Sequence, residues 1–349
     1  MTRVLIAAGG TAGHVVPALA VADELRERGA DVVWLGGERS EAELVPAAGY
    51  PLHQIAVRGL SRSNPAKAAR AAALAARASA SATRVLRAER PDVVFGGGGY
   101  VAGPAGAAAV LRRVPLVLAE ADSVLGLTNR LLARFAQRVC LAFPIPGRDG
   151  PRYRLTGRPV PPPATDRAAA RAELDVAADE DLVLVFGGSL GARSINQAAI
   201  DAFAGAPFRV LHAAGERDFA ELRAPRPGYE LRPYLPAPEF SRALLASDLV
   251  VARAGGSIFE ICAHGRPALL VPYPYASADH QTTNARWMAD AGAAVIVSDA
   301  ELTGPRLARE VAALFADRGR LIGMARASAG LARPKAAADI ADEVLAAAR

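Results

Sequence analysis

The stretch ARAGGSIFEICAHGRPALLVPYPYASADHQTTNA, residues 252–285, follows an apolar run at 249–251 and alternates polar turns with short apolar segments. This pattern predicts a strand end, a glycine turn, a short helix, a buried strand at 268–271 and a polar loop that opens another helix. Gly255 and Gly256 allow the backbone to turn sharply and to approach a ligand closely. The stretch therefore predicts an α/β fold in which ligand-binding loops follow parallel strands.

Two interpretations fit the acidic residue after this turn. Ser257 and Glu260 have the spacing of a capping box, in which they would only begin the helix. Alternatively, the Glu260 carboxylate accepts two hydrogen bonds from a ribose diol, as acidic residues do in nucleotide-binding folds. Further along, Asp-His-Gln at 279–281 precedes a helix that carries Asn284. These side chains add a group able to bind hydroxyls beside the glycine turn.

Composition limits the class of protein. The 349 residues suffice for two domains with separate cores, and 52% hydrophobic content with only 5% aromatics favours helices packed on parallel strands. The two cysteines, Cys140 and Cys262, form no metal or redox motif, which favours a reducing cytoplasm. We expect no secretory signal and no transmembrane helix, because the apolar segment 101–111 is short and broken by glycine. The net charge of +6 permits binding to phosphates, anionic lipid or nucleic acid without choosing among them.

The chain begins with a β-α-β pattern whose first turn is rich in glycine. The pattern consists of an apolar strand at 3–8, GGTAGH at 9–14, a helix at 16–28 and a second strand at 30–35. It places backbone amides and a helix N-terminus where they can bind phosphate, although the turn lacks the G-x-G-x-x-G spacing. A second glycine loop, GGGGYVAGP at 96–104, ends the strand predicted at 91–95 and should line the same crevice.

A predicted helix at 65–88 carries basic residues at intervals of three and seven, so they share one face with Leu74. These residues are Lys67, Arg70, Arg77, Arg84 and Arg87. A solvent-exposed helix face explains the pattern without any function, whereas docking on an anionic membrane surface would use the charges directly. No aromatic residues alternate with the charges to stack on bases, so we expect no binding to nucleic acid.

A proline-rich segment divides the chain in two. Four prolines lie between 159 and 163, where they suit neither a sheet nor a helix interior, so a stiff connector is predicted. A fresh cycle follows, with a strand at 181–186, GGSLGA at 187–192 and a helix at 194–204. We therefore predict two similar Rossmann-like parallel-sheet domains, residues 1–157 and 158–349, that face each other across a cleft. The C-terminal helix could pack back on the first domain.

The second half is richer in groups that bind hydroxyls and phosphates, which favours a nucleotide diphosphate-sugar as its ligand. These groups are Ser189, Arg193, Arg253, Gly255, Glu260, His280 and Gln281. Backbone amides and a helix dipole would stabilise the charge that develops on a departing diphosphate. Because no carboxylates have the spacing of metal ligands, we predict no metal and no cofactor. In the first half, His14 is either a general base, since imidazole titrates near neutral pH, or a loop residue that contacts phosphate.

Six short motifs occur in order over nearly the whole chain. They are GGTAGH at 9–14, GGGGYVAGP at 96–104, GLTN at 126–129, GGSLGA at 187–192, RAGGSIFE at 253–260 and DHQTTNA at 279–285. Together they resemble the MurG-type N-acetylglucosaminyltransferases, which convert lipid I to lipid II. The resemblance implies a GT-B fold and an inverting, metal-independent transfer of GlcNAc from UDP-GlcNAc to the muramyl 4-hydroxyl of lipid I, a polyprenyl-diphosphate-linked muramyl-pentapeptide. It also implies a peripheral enzyme of peptidoglycan synthesis at the cytoplasmic face of the cell membrane.

The resemblance assigns roles to individual residues. His14 becomes the candidate base at the acceptor, and Glu260 matches the acid that binds ribose, so these two are the catalytic candidates. Gln281 matches a glutamine that reads the donor sugar. The other candidate substrate-binding residues are Thr11, Ala12, Gly13, Gly99, Tyr100, Asp122, Asn129, Arg158, Ser189, Gly191, Arg193, Arg253, Gly255, Ser257, His280 and Asn284. The basic face with Lys67, Arg70, Arg77 and Arg84 lies where family members associate with membrane.

Two motifs depart from the family pattern. The family has His-Glu-x-Asn before GLTN, where this chain has Ala-Glu-Ala-Asp at 119–122, and the family's Thr-Gly-Asn-Pro-Val-Arg is Thr-Gly-Arg-Pro-Val-Pro at 156–161. Asp122 brings a negative charge near a diphosphate, which Arg158 or Arg193 would have to offset. These departures leave other activities open: a related GT-B glycosyltransferase with a different lipid or secondary-metabolite acceptor, a UDP-GlcNAc 2-epimerase, or a catalytically weakened sugar-nucleotide-binding scaffold.

Overall fold

The structure is a computed structural model that describes residues 1–56 and 65–348. For residues 65–73 it describes the backbone alone. The chain forms two compact units: unit 1 is Met1–Pro161 with Arg333–Arg349, and unit 2 is Pro162–Ala332. The boundary lies within the proline-rich segment, a few residues after the predicted position at 157/158. The last helix of the chain belongs to unit 1, which is the packing on the first domain that the sequence analysis allows for it.

Unit 1 is built on a parallel sheet. Its strands are β1 (Arg3–Ala8), β2 (Asp31–Gly36), β3 (Leu52–Gln54), β4 (Val93–Gly98), β5 (Leu116–Glu120), β6 (Arg138–Leu141) and β7 (Tyr153–Leu155). Among the described residues, the strand order is β3-β2-β1-β4-β5-β6-β7. The order reverses between β1 and β4, so the carboxyl ends of these two strands form the crevice in which open α/β sheets bind ligands.

The helices of unit 1 cover both faces of this sheet. Those before the connector are α1 (Ala12–Glu27), α2 (Ser40–Ala47), α3 (Pro65–Glu89), α4 (Gly99–Arg112) and α5 (Leu127–Leu132). Alternate residues of β1 point to opposite faces: Val4 and Ile6 belong to one buried cluster, whereas Leu5 belongs to another with helical residues of α3 and α4. Continuous burial of this strand is what a parallel sheet covered on both faces requires.

Two boundaries in unit 1 differ from the sequence-based prediction in a way that shapes the site. The first helix begins at Ala12, four residues before the predicted start at 16, because Thr11 already has the extended backbone of an N-cap. The glycine turn is therefore short, and His14 lies in the first turn of α1. The strand predicted at 91–95 continues to Gly98, because Gly96 pairs with Ala7 in the ladder between β1 and β4.

Unit 2 repeats the arrangement with a second parallel sheet. Its strands are β8 (Leu182–Phe186), β9 (Arg209–Ala213), β10 (Tyr229–Arg232), β11 (Leu249–Ala252), β12 (Ala268–Leu270) and β13 (Ala294–Ile296). The strand order within the described residues is β10-β9-β8-β11-β12-β13, and the reversal lies between β8 and β11. The stretch at 252–285 thus begins at the last residue of β11 and contains β12, and both strands lie on one side of the reversal.

The remaining helices complete both units. They are α6 (Arg167–Glu173), α7 (Arg193–Ala202), α8 (Glu216–Phe219), α9 (Ala237–Ala246), α10 (Ile258–Ala263), α11 (His280–Asp290), α12 (Gly304–Ala316), α13 (Arg318–Leu331) and α14 (Ala336–Ala347), with short 3₁₀ turns at Ser277–Asp279 and Asp299–Glu301. In the part of the chain that the structure describes, no helix combines the length and the apolarity that crossing a membrane requires.

Candidate functional site

The two glycine loops of unit 1 are packed directly against each other. Gly99 has φ +75°, and a Cβ atom there would lie 1.8 Å from the carbonyl oxygen of Gly9. Gly98 has φ +110°, and a Cβ atom there would lie 2.6 Å from Cδ2 of His14. Only glycine fits at both positions, because backbone and imidazole occupy the space of a side chain. The predicted convergence of the two loops is thus present in the structure.

His14 stands at this junction with its imidazole partly buried. Its Nδ1 lies 3.3 Å from the hydroxyl oxygen of Thr11. Burial lowers the pKa of His14 below its ordinary value and the nearby charge of Arg158 lowers it further, whereas Asp122 and Glu41 act in the opposite direction. The imidazole is therefore neutral at pH 7, which is the form able to accept a proton.

Arg158, which departs from the family's hinge motif, contacts the first glycine loop. Its Nη2 donates to the carbonyl oxygen of Gly13 at 2.6 Å. The guanidinium thereby places a positive charge beside the exposed residues Thr11, Ala12 and Gly13 at the start of α1. Whether this charge offsets that of Asp122 at a bound diphosphate stays a prediction.

A cavity of about 500 Å³ opens beside the loops of unit 1. Its polar wall includes His14, Gly99, Tyr100, Glu120, Asp122 and Asn129, and its apolar wall includes Leu74, Ala75 and Leu127. Tyr100 is half exposed at 49%, with the Arg39 guanidinium 5.5 Å from the centre of its ring. Five of the candidate residues therefore line one cavity: His14, Gly99, Tyr100, Asp122 and Asn129.

Glu120 organises the loop after β5, a role that the sequence-based prediction missed. It is 7% exposed and accepts hydrogen bonds from the amides of Asp122 at 3.2 Å and Gly126 at 2.8 Å, and from Asn129 Nδ2 at 2.9 Å. Burial raises the pKa of its carboxyl above the ordinary value, against the lowering effect of these bonds. Asn129 also donates to the Ala119 carbonyl at 2.9 Å, so its amide nitrogen holds the loop.

A second missed residue is Glu41, at the start of α2. Its carboxylate is 2% exposed and accepts hydrogen bonds from the amides of Gly10 and Gly37, each at 2.8 Å. The signal in the sequence is the glycine pair at 36–37, where β2 ends, with an acid a few residues further on. That pattern alone cannot tell a buried carboxylate from the exposed acids usual at a helix start.

The glycine loop of unit 2 uses the same device as that of unit 1. Gly191 has φ +76°, and a Cβ atom there would lie 2.0 Å from the Ala214 carbonyl oxygen. Ser189 is exposed, and Arg193 begins α7 with 68% of its side chain exposed and Nη2 3.4 Å from Asp218. The loop therefore presents a hydroxyl and a guanidinium to solvent next to a helix N-terminus.

At the glycine turn of unit 2, residues 255–256, the geometry bears on the two interpretations of Ser257 and Glu260. Ser257 occupies the N-cap position of α10 but its side chain accepts no hydrogen bond from the helix. Its backbone is already helical, with φ −62° and ψ −14°, so the hydroxyl does not face the amides as in a capping box. The serine half of a capping box is therefore absent. The ribose-binding role of Glu260 stays a prediction.

The residues of the polar loop after β12 approach the same turn. A Cβ atom on Gly255 would lie 3.7 Å from Nε2 of Gln281, while Gln281 Oε1 accepts from the Tyr273 amide at 3.0 Å. The Gln281 amide nitrogen thus faces the glycine turn. Asn284 is 1% exposed and donates to the Ala254 carbonyl at 3.1 Å, which ties α11 to the turn. His280 makes a ring hydrogen bond with the backbone at position 277 through Nδ1.

Arg253 braces this part of unit 2. Its guanidinium forms an ion pair with Asp299 at 2.6 Å and donates to the carbonyls of Val271 and Pro272, each at 3.1 Å. Nη2 also donates to the Ser194 hydroxyl at 2.9 Å. One side chain thereby joins α7, the end of β12 and the turn before α12. A direct contact between Arg253 and a ligand stays a prediction, and Asp299 is a partner that the sequence did not reveal.

The described residues contain no grouping of three or more His, Cys, Asp or Glu side chains arranged to hold a metal ion. Independence from metal remains a prediction.

Comparisons with known proteins agree with this architecture. Residues 4–141 match the N-terminal domain of glycosyltransferase family 28, and residues 182–344 match its C-terminal domain. A UDP-N-acetylglucosamine–N-acetylmuramyl-(pentapeptide) pyrophosphoryl-undecaprenol N-acetylglucosamine transferase from Alkalilimnicola ehrlichii is 46% identical over 97% of both chains.

Solved structures of glycosyltransferases have a similar fold. The crystal structure of MurG from Acinetobacter baumannii has a TM-score of 0.79 and 31% identity, and the match covers 99% of this chain and 100% of that one. The calicheamicin glycosyltransferase CalG4 has a TM-score of 0.72 at 19% identity over 99% of this chain and 98% of its own, a likeness of fold alone. The two Rossmann-like units have the GT-B fold, and the chain belongs to glycosyltransferase family 28, in the group of the undecaprenol N-acetylglucosamine transferases.

Proposed function

We propose that this protein transfers GlcNAc from UDP-GlcNAc to the muramyl 4-hydroxyl of lipid I, with inversion at the anomeric carbon, and so forms lipid II. The observation that carries the proposal is the 46% identity to a transferase of this name over nearly the full length of both chains. The two glycine loops and the cavity with a neutral histidine supply a site whose chemistry fits this reaction.

Unit 1 is the proposed acceptor side. The neutral imidazole of His14 takes the proton of the acceptor hydroxyl as the hydroxyl oxygen attacks C1 of GlcNAc. The bond between C1 and the diphosphate breaks on the opposite face of the sugar, which inverts the configuration and releases UDP. The lowered pKa of His14 supports this role, since a base that was protonated at pH 7 could not accept the proton.

Unit 2 is the proposed donor side. Its glycine loop and the N-terminus of α7 offer amides to the diphosphate, and the exposed Ser189 and Arg193 add a hydroxyl and a positive charge. The Glu260 carboxylate binds the ribose diol, and the Gln281 amide reads the sugar. Preorganised donors of this kind stabilise the negative charge that grows on UDP as it leaves.

The membrane is the proposed location of the acceptor, and unit 1 is the proposed contact. Leu127 and Leu131 of α5 and Phe135 in the turn after it are 36%, 56% and 50% exposed. Arg130 and Arg134 are exposed beside them. Arg77 and Arg84 of α3 are exposed as well, whereas the side chains of Lys67 and Arg70 lie outside the described residues. Apolar and basic side chains together suit the anionic cytoplasmic face of a membrane.

The test is transfer of radiolabelled GlcNAc from UDP-GlcNAc to a short-chain analogue of lipid I, with EDTA present. We expect labelled disaccharide product, which would establish donor, acceptor and metal independence in one measurement. Product that forms only when a divalent metal replaces EDTA would contradict the metal-free mechanism. Absence of product with UDP-GlcNAc binding intact would contradict the acceptor assignment and favour a different lipid or secondary-metabolite acceptor.

A further inference from the structure

Glu41 is a buried carboxylate beneath the candidate catalytic loop, whereas Glu43, the other acid of the same helix, is exposed. Its exposure is 2%, and each carboxylate oxygen accepts one backbone amide: Oε2 accepts from Gly10 after β1, and Oε1 accepts from Gly37 after β2. Both distances are 2.8 Å. One side chain thus fastens together the loops that follow two adjacent strands, with charge-assisted hydrogen bonds.

The surrounding backbone is shaped to hold this carboxylate. A Cβ atom on Gly9 would lie 2.5 Å from Glu41 Oε1, and one on Gly37 would lie 2.8 Å from the same atom. A Cβ atom on Gly36 would lie 2.8 Å from Glu41 Cγ. Three glycines therefore leave room for a single acidic side chain, which indicates that its position is tightly fixed by both loops.

The fastened loop carries the parts of the site on which transfer depends. The carbonyl of Gly9 packs at Gly99 in the second glycine loop, and Gly10 precedes the N-cap of α1. His14 follows within the first turn of that helix. A shift of the amide of Gly10 would consequently move both the junction between the glycine loops and the imidazole.

Glu41 also acts on His14 through its charge. The charged groups that influence the pKa of the imidazole are Glu41 and Asp122, which raise it, and Arg158, which lowers it together with burial. Glu120 and Tyr100 are the other titratable side chains in the wall of the same cavity. Loss of the Glu41 charge would leave Arg158 and burial less opposed.

We propose that Glu41 is a positioning residue for the transfer reaction: it locks the first glycine loop so that His14 is held in place to accept the acceptor's proton. This inference rests on the proposed function for its kinetic readout. It assigns Glu41 no contact with substrate, because the carboxylate is enclosed by the two loops.

The test compares Glu41→Gln with the wild-type enzyme. The amide keeps the size of the side chain but removes its charge and one of the two acceptor oxygens, so one backbone amide loses its partner. We expect kcat to fall about tenfold or more, as loss of a charge-assisted hydrogen bond predicts. The KM for UDP-GlcNAc should stay within about twofold, since the proposed donor site lies in unit 2. The acidic limb of the pH–rate profile should move to lower pH.

Two further variants make the result specific. Glu43→Gln removes an exposed acid of the same helix and should leave kcat and the pH profile unchanged. Glu41→Asp keeps the charge but shortens the reach, so kcat should fall while the acidic limb stays near its wild-type position. If folded Glu41→Gln behaves like Glu43→Gln in both readouts, the proposal is overturned. Should Glu41→Gln not fold, wild-type kcat in Glu41→Asp would overturn it instead.

Titration of the His14 imidazole by NMR separates this proposal from the proposed function. The measurement needs no substrate, and we expect a lower pKa in Glu41→Gln than in Glu43→Gln. A lowered pKa in an enzyme that transfers nothing to lipid I would support the positioning role while the acceptor assignment fails. An unchanged pKa and an unshifted imidazole signal would overturn the positioning role even in an active enzyme.

Discussion

Glu260 lies in the first turn of α10, directly after the glycine turn of unit 2. A carboxylate that accepts two hydrogen bonds from a ribose diol loses both when it is replaced by alanine. We expect Glu260→Ala to weaken UDP binding by about 1–3 kcal/mol, measured by calorimetry. The matched control is Glu239→Ala, which removes an exposed acid from the first turn of α9 in the same unit. Equal affinity in the two variants would remove Glu260 from the site.

We expect His212 to make the stability of unit 2 depend on pH. It is fully buried, with Nδ1 2.8 Å from the Tyr229 hydroxyl and Nε2 3.0 Å from Asn196 Oδ1, and burial lowers its pKa from 6.5 to about 4. Because the folded pKa is below the unfolded one, the contribution is fully present above pH 6.5 and is lost as pH falls through about 4. The shift corresponds to about 3 kcal/mol for unit 2.

The measurement for His212 is denaturant unfolding of the wild type and of His212→Gln at pH 7 and at pH 4.5. We expect the free energy of unfolding to fall more steeply in the wild type, with the difference between the two proteins reporting this histidine alone. His280→Gln, which changes a partly exposed histidine, serves as control and should follow the wild type. Parallel pH dependence in wild type and His212→Gln would contradict the prediction.

At the residue scale, the sequence identifies glycines and local motifs but not tertiary hydrogen bonds. The loops around Gly99 and Gly191 follow from runs of glycine after apolar strands. Glu41 and Asp299, in contrast, look like ordinary surface acids, because their partners lie elsewhere in the chain and only folding brings them together. Arg253 illustrates the same limit. Its position before a glycine turn suggests that it binds a ligand, whereas its hydrogen-bond partners include the Val271 carbonyl and the Ser194 hydroxyl of unit 2.

Among the elements, the turn between β4 and α4 depends most strictly on glycine. Gly99→Ala would place a methyl group 1.8 Å from the Gly9 carbonyl at a backbone conformation that alanine rarely adopts. We expect a loss of at least about 2 kcal/mol in the free energy of unfolding, together with loss of transfer. Gly103→Ala in the interior of α4 is the control, since its Cβ would find atoms of Thr128 no nearer than 3.6 Å. The control should be neutral or slightly stabilising, because alanine favours helix. Equal unfolding free energies in the two variants would show that the loops adjust at no cost.

The helix α3 offers a separate test of the membrane proposal. Arg77→Glu with Arg84→Glu reverses two exposed charges, and each basic residue near an anionic surface contributes about 1 kcal/mol. We expect the double variant to sediment poorly with anionic vesicles while it still binds UDP. Arg309→Glu with Arg320→Glu makes the same change in charge on exposed positions of unit 2 and should sediment as the wild type does. Unaltered sedimentation of the α3 variant would mean that this face is merely solvated.

Hydrophobic periodicity predicts which helices and strands are present, but it does not predict accurately where each one begins and ends. The strand at 3–8 was predicted with the bounds that the structure gives it, because six consecutive apolar or half-buried residues stop at glycine. The start of α1 was misplaced because helical geometry in its first turn is set by the extended N-cap at Thr11 and by packing against Gly98, neither of which periodicity detects. The misplacement matters, since it decides whether His14 belongs to a loop or to a helix.

At the scale of the whole molecule, repetition in the sequence reveals the architecture. Two glycine loops, each after an apolar run and before a helix, predict two parallel sheets, and the structure contains both. A single boundary along the chain cannot assign α14 correctly, because this C-terminal helix belongs to unit 1 although it follows the whole of unit 2 in the sequence. The reason lies in its partners: Glu343 forms ion pairs with Arg138 and Arg154 at the far edge of the first sheet.

The membership of α14 in unit 1 leads to a prediction about Ile340. It is 2% exposed and belongs to the buried cluster that contains Val4 and Ile6 of β1. Ile340→Ala removes buried methyl groups and leaves a cavity, so we expect unit 1 to lose about 2–5 kcal/mol in its free energy of unfolding. Hydrogen exchange followed by mass spectrometry should show faster exchange in peptides from β1 and β4, with peptides from β8 and β11 unchanged. Asp342→Ala, at an exposed position of α14, should leave both sets near wild type, because an exposed ion pair contributes little. Faster exchange in β8 and β11 but not in β1 and β4 would instead assign the helix to unit 2, and with it the continuous domain that a single boundary at 157/158 predicts.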